Sequence, residues 1–294
     1  MKKRLAPLYL ALGLLAPGWT MAAEAPVQVG SITWLTGEPV NLDNDKAISF
    51  SRQLVELIRR EWPEVQHAMV QANARRAWQM IADREHACQL SSVHTAERDR
   101  VAYFRDFLIG PPQQIIVRRD KVAVLPRTAS GDVDLPKLLA SNTLRGALVD
   151  GRSYGEALDR IIAAAPRKPL VVRYSAGDYG SRIHTMLSRD RADYTIGYDA
   201  TMRQEPGQAA LLLTSESIGG ANAPVLAGVA CPRTPWGKAV IRRVDQIAVT
   251  PEAVALLRHE AESWLTPELR KRYAAQIEEF YRAKMKAAAA ATAR

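Results

Sequence analysis

Hydroxyl side chains and one arginine lie close together in the first third of the chain. Ser91, Ser92 and Thr95 precede Arg98, and an apolar segment at 114–117 follows. Hydroxyl and backbone N–H groups donate hydrogen bonds to anions, and a planar guanidinium matches a carboxylate. The segment therefore predicts a loop that holds a small anionic or zwitterionic solute before the chain returns to a sheet. We expect Ser91, Ser92 and Arg98 to contact that solute.

A second motif, G-R-S-Y-G at 151–155, matches the nucleophile elbow of serine hydrolases. A hydrolase would also need an acid and then a histidine downstream of Ser153. Two pairs stand in that order: Asp245 with His259, and Asp178 with His184. His259 lies in a helical pattern typical of a solvated face, and no H-G-G-G-like oxyanion loop precedes Ser153. The motif therefore favours a role other than catalysis.

In the binding interpretation, the same turn holds an anion without any chemistry. Ser153 and the N–H groups at a helix start supply donors, while Arg152 and Tyr154 line the cleft. A plain helix N-cap is an alternative role for Ser153, and the two roles can coexist. Two further candidates have equally open roles: Trp34 forms a flat wall for the ligand or packs in the core, and Arg76 points into the cleft or faces water.

The N-terminus has the pattern of a secretory signal peptide. Basic residues at 2–4 precede an apolar run at 5–16, which is shorter than a membrane-spanning helix. We predict cleavage near Ala23 and a periplasmic mature protein. Because Cys88 is the first cysteine in the chain, no site for N-terminal lipidation is expected.

The chain has two cysteines, Cys88 and Cys231. In an oxidising compartment a pair is more often joined than free, so we predict one disulfide. Two buried free thiols are the alternative, because sequence does not give the distance between them.

Charge and motif content bear on the class of partner. The net charge of +9 falls to +6 when the three basic residues of the signal peptide are removed, and the remaining basic residues are interleaved with acidic ones. This pattern argues against nucleic acid and favours small anions. The five histidines are scattered, and no glycine-rich phosphate loop precedes a lysine. We therefore predict no cofactor and no metal.

Alternating strand and helix patterns predict parallel α/β sheets in two units. The predicted strands are 31–35, 67–71, 146–149, 170–174, 194–198 and 225–230, and the predicted helices are 48–62, 75–84, 154–165, 182–189, 254–265 and 268–282. After residue 211 the chain returns to features that complete the first unit. The predicted division is a signal peptide at 1–23, lobe 1 at 24–120 and 212–286, lobe 2 at 121–211, and a tail at 287–294.

The Arg98 segment resembles the family 3 periplasmic solute-binding proteins, which include amino-acid receptors of ABC transporters. The matching residues are Thr95, Glu97, Arg98 and Phe104, whereas 105–107 depart from the family's small-residue ending. The resemblance implies a two-lobed periplasmic binding protein-like fold (type II), with a discontinuous first lobe, two hinge strands and a ligand in the cleft. The chain also resembles a proteobacterial branch of this superfamily in I-T-W, G-R-S-Y-G, R-A-D-Y and C-P-R-T-P-W-G.

One departure from the resemblance concerns the ligand. In the amino-acid receptors a carboxylate soon after the R-A-D strand accepts the ligand ammonium. Here 191–193 match that strand, but Tyr198 occupies the expected register and Asp199 follows it. A tyrosine hydroxyl suits a solute without an ammonium, since it cannot neutralise one. If Asp199 turns inward instead, an α-amino acid is the expected ligand.

These observations predict a soluble, monomeric periplasmic protein that closes over a small polar, carboxylate-bearing solute. Its expected partner is an ABC permease or a membrane-bound sensor. Two alternatives remain open: a periplasmic enzyme, either a serine hydrolase through Ser153 or a dehydratase on the same fold, and an interaction module for a membrane signalling partner.

Overall fold

The structure, a computed structural model, describes residues 27–37, 49–175, 181–203 and 211–292. The predicted signal peptide lies outside the described residues. The strands are β1 (Ser31–Thr36), β2 (Gln66–Gln71), β3 (Ala87–Val93), β4 (Ala102–Gly110), β5 (Gln114–Arg118), β6 (Gly146–Val149), β7 (Val171–Tyr174), β8 (Tyr194–Gly197), β9 (Leu213–Glu216) and β10 (Val225–Pro232). The helices are α1 (Phe50–Glu61), α2 (Ala74–Ala82), α3 (Leu135–Leu139), α4 (Glu156–Ala164), α5 (Ser181–Ser188), α6 (Asp199–Arg203), α7 (Pro235–Ile247), α8 (Pro251–Ser263) and α9 (Pro267–Thr292).

The strands form two five-stranded sheets of the same design, ordered β2-β1-β3-β10-β4 and β7-β6-β8-β5-β9. In each sheet the first three strands are parallel, and a strand from elsewhere in the chain enters antiparallel beside the third. We call the first sheet with its helices lobe 1, and the second with its helices lobe 2. The chain crosses between them at 111–113 and again at 217–224, so lobe 1 is discontinuous and the predicted α/β two-lobed fold is confirmed.

The predicted lobe boundaries assigned two strands to the wrong sheet. The segment 114–117 was expected in lobe 1, but β5 pairs antiparallel with β8 and β9 of lobe 2. Strand β9 likewise belongs to the second sheet, although lobe 1 was expected to resume at 212. Both errors have one cause, because β5 and β9 pair with each other. Ile115, Ile116 and Val117 of β5 are fully buried, and the strands on either side, β8 and β9, are distant in sequence.

One segment that was expected to be a loop and one that was expected to be a tail are regular structure instead. The hydroxyl-rich segment before Arg98 was expected to be a loop, yet Ser91 and Ser92 belong to the end of β3. Four buried residues at 87–90 hold that strand between β1 and β10. At the C-terminus, α9 continues to Thr292, beyond the expected tail boundary at 287.

Threonine–proline pairs begin the last three helices. The Thr234 hydroxyl accepts from the N–H of Gly237 ahead of α7, and the Thr250 hydroxyl accepts from the N–H of Ala253 ahead of α8. A hydroxyl at the N-cap satisfies a helix donor, and proline at the first helical position needs no partner for a missing N–H. These local signals fix the starts of helices that pack on lobe 1.

The two cysteines lie on neighbouring strands of lobe 1. Cys88 is on β3 and Cys231 is on β10, both fully buried, and their sulfur atoms are 2.07 Å apart with Cα atoms at 4.4 Å. The two thiols are therefore at bonding distance in the core. One lies on the strand that leads to Arg98 and the other on the strand that returns from lobe 2.

Helix α9 packs on lobe 1 through its aromatic side chains. Tyr273, Ile277 and Tyr281 are buried in the same core as Trp34 and Phe107. The Tyr281 hydroxyl lies 3.1 Å from the carbonyl of Phe107 and 2.9 Å from that of Leu257. Among the described helices, none combines the length and apolar character required to cross a membrane.

Candidate functional site

Arg98 lies in the turn that follows the end of β3. The Thr95 hydroxyl accepts from the backbone N–H of Arg98 at 3.3 Å, which starts a short 3-10 turn at Arg98–Arg100. Ser91 has a φ of 51° and is exposed, and this turns the following Ser92 into the buried interior. The strand end and the turn together direct the arginine away from its own sheet.

The Arg98 guanidinium contacts both lobes. It donates to the Ser92 hydroxyl at 3.4 Å and the Val93 carbonyl at 2.9 Å in lobe 1, and to the Gly151 carbonyl of lobe 2 at 3.3 Å. Its carbon lies 4.2 Å from the centroid of the Trp78 ring, a cation–π distance. We call this meeting point of Arg98 with the 151–155 turn the lobe junction.

Trp78 was not predicted from sequence. It lies on α2, stacks on Phe104 with ring centroids 6.1 Å apart, and presents its face to Arg98. The buried indole N–H makes no hydrogen bond within the described residues. An aromatic ring in the helix that precedes the Arg98 segment was the available signal, but sequence does not show which aromatic meets which arginine.

A cluster around His94 supports the Arg98 turn. The two imidazole nitrogens contact Asp106 and Asp99, each at 2.9 Å, and the ring stacks on Phe104 at 4.2 Å. Although burial disfavours the charged ring, hydrogen bonds to the two carboxylates raise the pKa of His94. The cluster joins Asp99 of the Arg98 turn to Asp106 of β4, and sequence reasoning did not identify it.

On lobe 2, the backbone of the 151–155 turn makes the contacts across the junction. Gly151 has a φ of 72°, and a Cβ there would come within 2.8 Å of the Arg75 backbone of lobe 1. Only glycine permits this approach without displacement. Two polar contacts flank it: Arg75 to Asp150 at 3.4 Å, and the Asn73 amide to the Ser175 hydroxyl at 3.3 Å.

Ser153 and Tyr154 face their own lobe rather than the junction. The Ser153 hydroxyl donates to Asp159 and accepts from the N–H of Gly155 at 3.1 Å. Asp159 also accepts from the N–H of Tyr154 at 2.8 Å. Gly155 is the N-cap of α4, so the N-cap role expected for Ser153 is corrected to a serine turn two residues before the cap.

The expectation that Tyr154 binds ligand is also corrected. The side chain is 2% exposed in the core of lobe 2, and its hydroxyl accepts from the N–H of Val149 at 2.8 Å. Burial raises the pKa of Tyr154. Arg152 lies beside this ring with its guanidinium carbon 5.3 Å from the centroid, half-buried, and its ligand role stays a prediction.

Trp34 is a core residue. It is fully buried in lobe 1, and its indole N–H donates to Nδ1 of His67 at 3.0 Å while the two rings stack. Burial lowers the pKa of His67, which keeps the imidazole available as an acceptor. The proposed flat wall is therefore corrected, and Trp78 supplies the aromatic face at the junction.

Arg76 and Ser91 lie outside the contacts that the junction makes. The side chain of Arg76 is exposed, and its backbone N–H donates to the capping side chain of Asn73 at 2.8 Å. The expectation that Arg76 faces water agrees with this exposure, and the neighbouring Arg75 makes an ion pair with Asp150 of lobe 2. Ser91 points to solvent, so its expected ligand contact is replaced by a backbone role.

Tyr198 and Asp199 separate at the start of α6. The Tyr198 ring lies edge-on against Trp264 of lobe 1, with centroids 5.2 Å apart. Burial raises its pKa, while Arg152 and the Gln113 amide oppose that shift. Asp199 accepts from the Ser215 hydroxyl of β9 at 3.2 Å. The tyrosine therefore contacts lobe 1 through Trp264, and the carboxylate is engaged within lobe 2.

The hydrolase pairs do not assemble around Ser153. Asp245 pairs with Arg105 at 2.6 Å in lobe 1, and His259 is exposed on α8. Asp178 lies outside the described residues. Burial, followed by the charge of Arg152, lowers the pKa of His184 to about 4. Over the described ranges, no three histidine, cysteine or acidic side chains converge as metal ligands.

Comparison with known proteins finds likeness in structure only. No protein-family model matches the sequence, and no curated protein matches it. The structure is similar to a mutant of the arginine-binding protein ArgBP from T. maritima, with a TM-score of 0.57 and 19% identity over 80% of this chain and 95% of that one. It is similar to the substrate-binding protein of an amino acid ABC transporter, with a TM-score of 0.59 and 13% identity over 81% and 99% of the two chains.

A third neighbour is the arginine-, lysine-, histidine-binding protein ArtJ from Geobacillus stearothermophilus. Its TM-score is 0.58 and its identity 10%, over 83% of this chain and 99% of that one. At such identities the likeness establishes the fold, which agrees with the sheet orders and the two crossings described above. The chain has the two-lobed fold of the amino-acid-binding proteins of ABC transporters.

Proposed function

We propose that this protein is a soluble, monomeric periplasmic solute-binding protein whose lobes close over a small polar solute that carries a carboxylate. The observation that supports it best is the position of Arg98, whose guanidinium contacts Ser92 and Val93 of lobe 1 and Gly151 of lobe 2. A cation that touches both lobes is suited to couple ligand binding to hinge closure.

A carboxylate is a better partner for this cation than the Gly151 carbonyl. Hydrogen bonds between two charged groups are roughly twice as strong as those between neutral groups, and the guanidinium fork binds both carboxylate oxygens. A solute acid at the junction would therefore replace the 3.3 Å contact to Gly151 while the lobe 1 contacts hold the arginine in place.

The solute class differs from that named for the solved neighbours. Two of them are titled as binding arginine, or arginine, lysine and histidine. A cationic solute side chain at this junction would meet Arg98 and Arg152, and Tyr198 provides no charge to neutralise an ammonium. We therefore infer an anionic solute.

Export and delivery complete the proposal. The basic, apolar and small-residue order of 1–23 supports secretion without a lipid anchor, and the close pair Cys88 and Cys231 suits an oxidising compartment. The partner would be an ABC permease or a membrane-bound sensor. Catalysis through Ser153 has little support, because the hydroxyl donates to Asp159.

A ligand screen tests the binding function directly. The mature protein, residues 24–294, is heated with organic acids, amino acids, sugars and peptidoglycan fragments. A ligand at 100 times its Kd adds about 2.7 kcal/mol to stability, so a true solute raises the Tm clearly. A flat screen on folded protein would contradict the proposal and favour the enzyme or the interaction module.

The Arg98→Ala variant tests the site. We expect a loss of about 2–5 kcal/mol in binding, which corresponds to an affinity lower by tens to thousands of times. The matched control is Arg100→Ala, since Arg100 lies in the same turn, is 75% exposed and pairs only with Glu97 among the described residues. Calorimetry that shows equal affinity for both variants would remove Arg98 from the site.

A further inference from the structure

A second arginine stands next to the point where Arg98 reaches lobe 2. Arg98 donates to the carbonyl of Gly151, and Arg152 is the following residue. The Arg152 guanidinium is half-buried beside the Tyr154 ring. Two guanidinium groups, one from each lobe, are thus carried by adjoining parts of the lobe junction.

The charge of Arg152 extends over the inner side of the junction. It opposes the burial that raises the pKa of Tyr198, and it adds to the burial that lowers the pKa of His184 to about 4. His184 is therefore neutral at physiological pH and adds no positive charge of its own. Tyr198 and the neutral His184 are thus two polar groups on which the charge of Arg152 acts.

Gln113 points to a polar ligand in the same place. It lies in the crossing segment between β4 and β5 and is 2% exposed. Neither its amide oxygen nor its amide nitrogen has a hydrogen bond of normal geometry within the described residues. The amide is nevertheless close enough to Tyr198 to affect the pKa of that hydroxyl. Buried amides are rarely left without a partner, and an amide of this kind calls for one.

Neighbouring carboxylates are already engaged with groups of the protein. Asp150 pairs with Arg75, Asp159 accepts from Ser153, and Asp199 accepts from Ser215. None of these three is directed to receive an ammonium at the junction. Of the described groups that we assign to the solute, Arg98 and Arg152 are cationic and Gln113 and Tyr198 are neutral.

We propose that the solute is a small dianion without an ammonium, a dicarboxylate in its simplest form. This inference rests on the proposed binding function and names the class of ligand. One acidic group binds Arg98 of lobe 1 and the second binds Arg152 of lobe 2, while the Gln113 amide and the Tyr198 hydroxyl hydrogen-bond the second group. Because each lobe supplies one arginine, a dianion gives each guanidinium its own acidic group, whereas a monoanion leaves two cations to share one charge.

Calorimetric titration of the mature protein tests the inference with succinate and glutarate as dianions, butyrate as a monoanion and glutamate as an amino-acid diacid. We expect succinate or glutarate to bind at least tenfold more tightly than butyrate and glutamate. Arg152→Gln should abolish that preference. The matched control Arg160→Gln removes the same charge from an exposed position on α4 of lobe 2 and should retain it.

A second variant separates ligand contact from general stability. Gln113→Leu removes a buried amide that makes no hydrogen bond of normal geometry among the described residues but lies within reach of the Tyr198 hydroxyl, so the ligand-free Tm should change little. Affinity for the preferred dianion should nevertheless fall several-fold. A level affinity would show that the amide does not face the solute and would overturn its assignment.

The outcomes distinguish this inference from the broader function. If butyrate or an amino acid binds as tightly as the dianions, and binding depends on Arg98 but not on Arg152, the dianion inference fails and the binding function stands. If none of these probes, nor any solute of the wider screen, binds the folded protein, both fail. A dianion preference that Arg152→Gln removes and Arg160→Gln retains supports both.

Discussion

The two lobes hold their junction segments by different means. In lobe 1, the strand that leads to Arg98 carries Cys88, whose sulfur is at bonding distance from that of Cys231. In lobe 2, the Ser153 hydroxyl and the Tyr154 N–H donate to Asp159, and the Tyr154 hydroxyl accepts from the Val149 N–H, which holds the 151–155 turn.

This difference determines which side chains are available for a ligand. The Cys88–Cys231 pair lies in the core and uses no residue at the end of β3, so Arg98 is placed at the junction by its turn. Ser153 and Tyr154 instead stabilise their own lobe, and the turn presents the backbone of Gly151 and the side chain of Arg152. The Arg98 segment and the 151–155 turn both suggest ligand contact in sequence. The first contributes a side chain to the junction, whereas the second contributes a backbone carbonyl and one arginine.

The largest expected effect comes from removing the proposed cross-link of lobe 1. In the double variant Cys88→Ser with Cys231→Ser, the free energy of unfolding should fall by about 5 kcal/mol, because the pair closes a loop with a sequence separation of 143. Denaturant unfolding of the oxidised protein measures the difference.

A reductant provides the control. It should lower the stability of the wild-type protein by a similar amount and leave the double variant unchanged. If the wild-type protein has the same stability with and without reductant, the two thiols are not joined, and lobe 1 is held by packing as lobe 2 is.

A smaller effect is expected at the backbone contact between the lobes. Gly151→Ala adds a Cβ at 2.8 Å from the Arg75 backbone, an overpacking of about 1–3 kcal/mol that only lobe separation relieves. The control Gly131→Ala has a similar φ of 88° with nothing within 4 Å, so it adds backbone strain alone. Small-angle scattering should show a larger radius of gyration for Gly151→Ala only. Equal radii for both variants would show that this contact does not set the lobe separation.

Sequence predicted the elements of the fold better than their grouping. Alternating patterns predicted β1, β2, β6, β7 and β8 to within about two residues, because each strand carries its own apolar pattern. Patterns do not give sheet membership, which depends on contacts between distant segments. Strands β5 and β9 were therefore assigned to lobe 1 although they pair with each other in lobe 2.

The candidate site shows the same limit at the level of side chains. Arg98 was identified from its residue type and motif, and the structure places it at the lobe junction. Sequence gives no reason to prefer Trp78 over Trp34 as a site residue. In the structure, Trp34 is buried in the core of lobe 1, whereas the Trp78 ring faces the Arg98 guanidinium. Gln113 belongs to no sequence motif. It is notable only in the structure, where its buried amide has no hydrogen bond of normal geometry among the described residues.

The smallest expected effect tests whether the lobe 2 turn is structural. Ser153→Ala removes one hydrogen bond to Asp159 and one from the Gly155 N–H, so the free energy of unfolding should fall by about 1 kcal/mol. Ser263→Ala is the control, because this exposed serine bonds only the Glu260 carbonyl of its own helix among the described residues, and its stability should change by less than about 0.5 kcal/mol. A fluorophosphonate probe should label neither wild type nor variant, since a hydroxyl that donates to a carboxylate and has no histidine base is a poor nucleophile. Labelling that Ser153→Ala abolishes would instead make the turn a catalytic elbow.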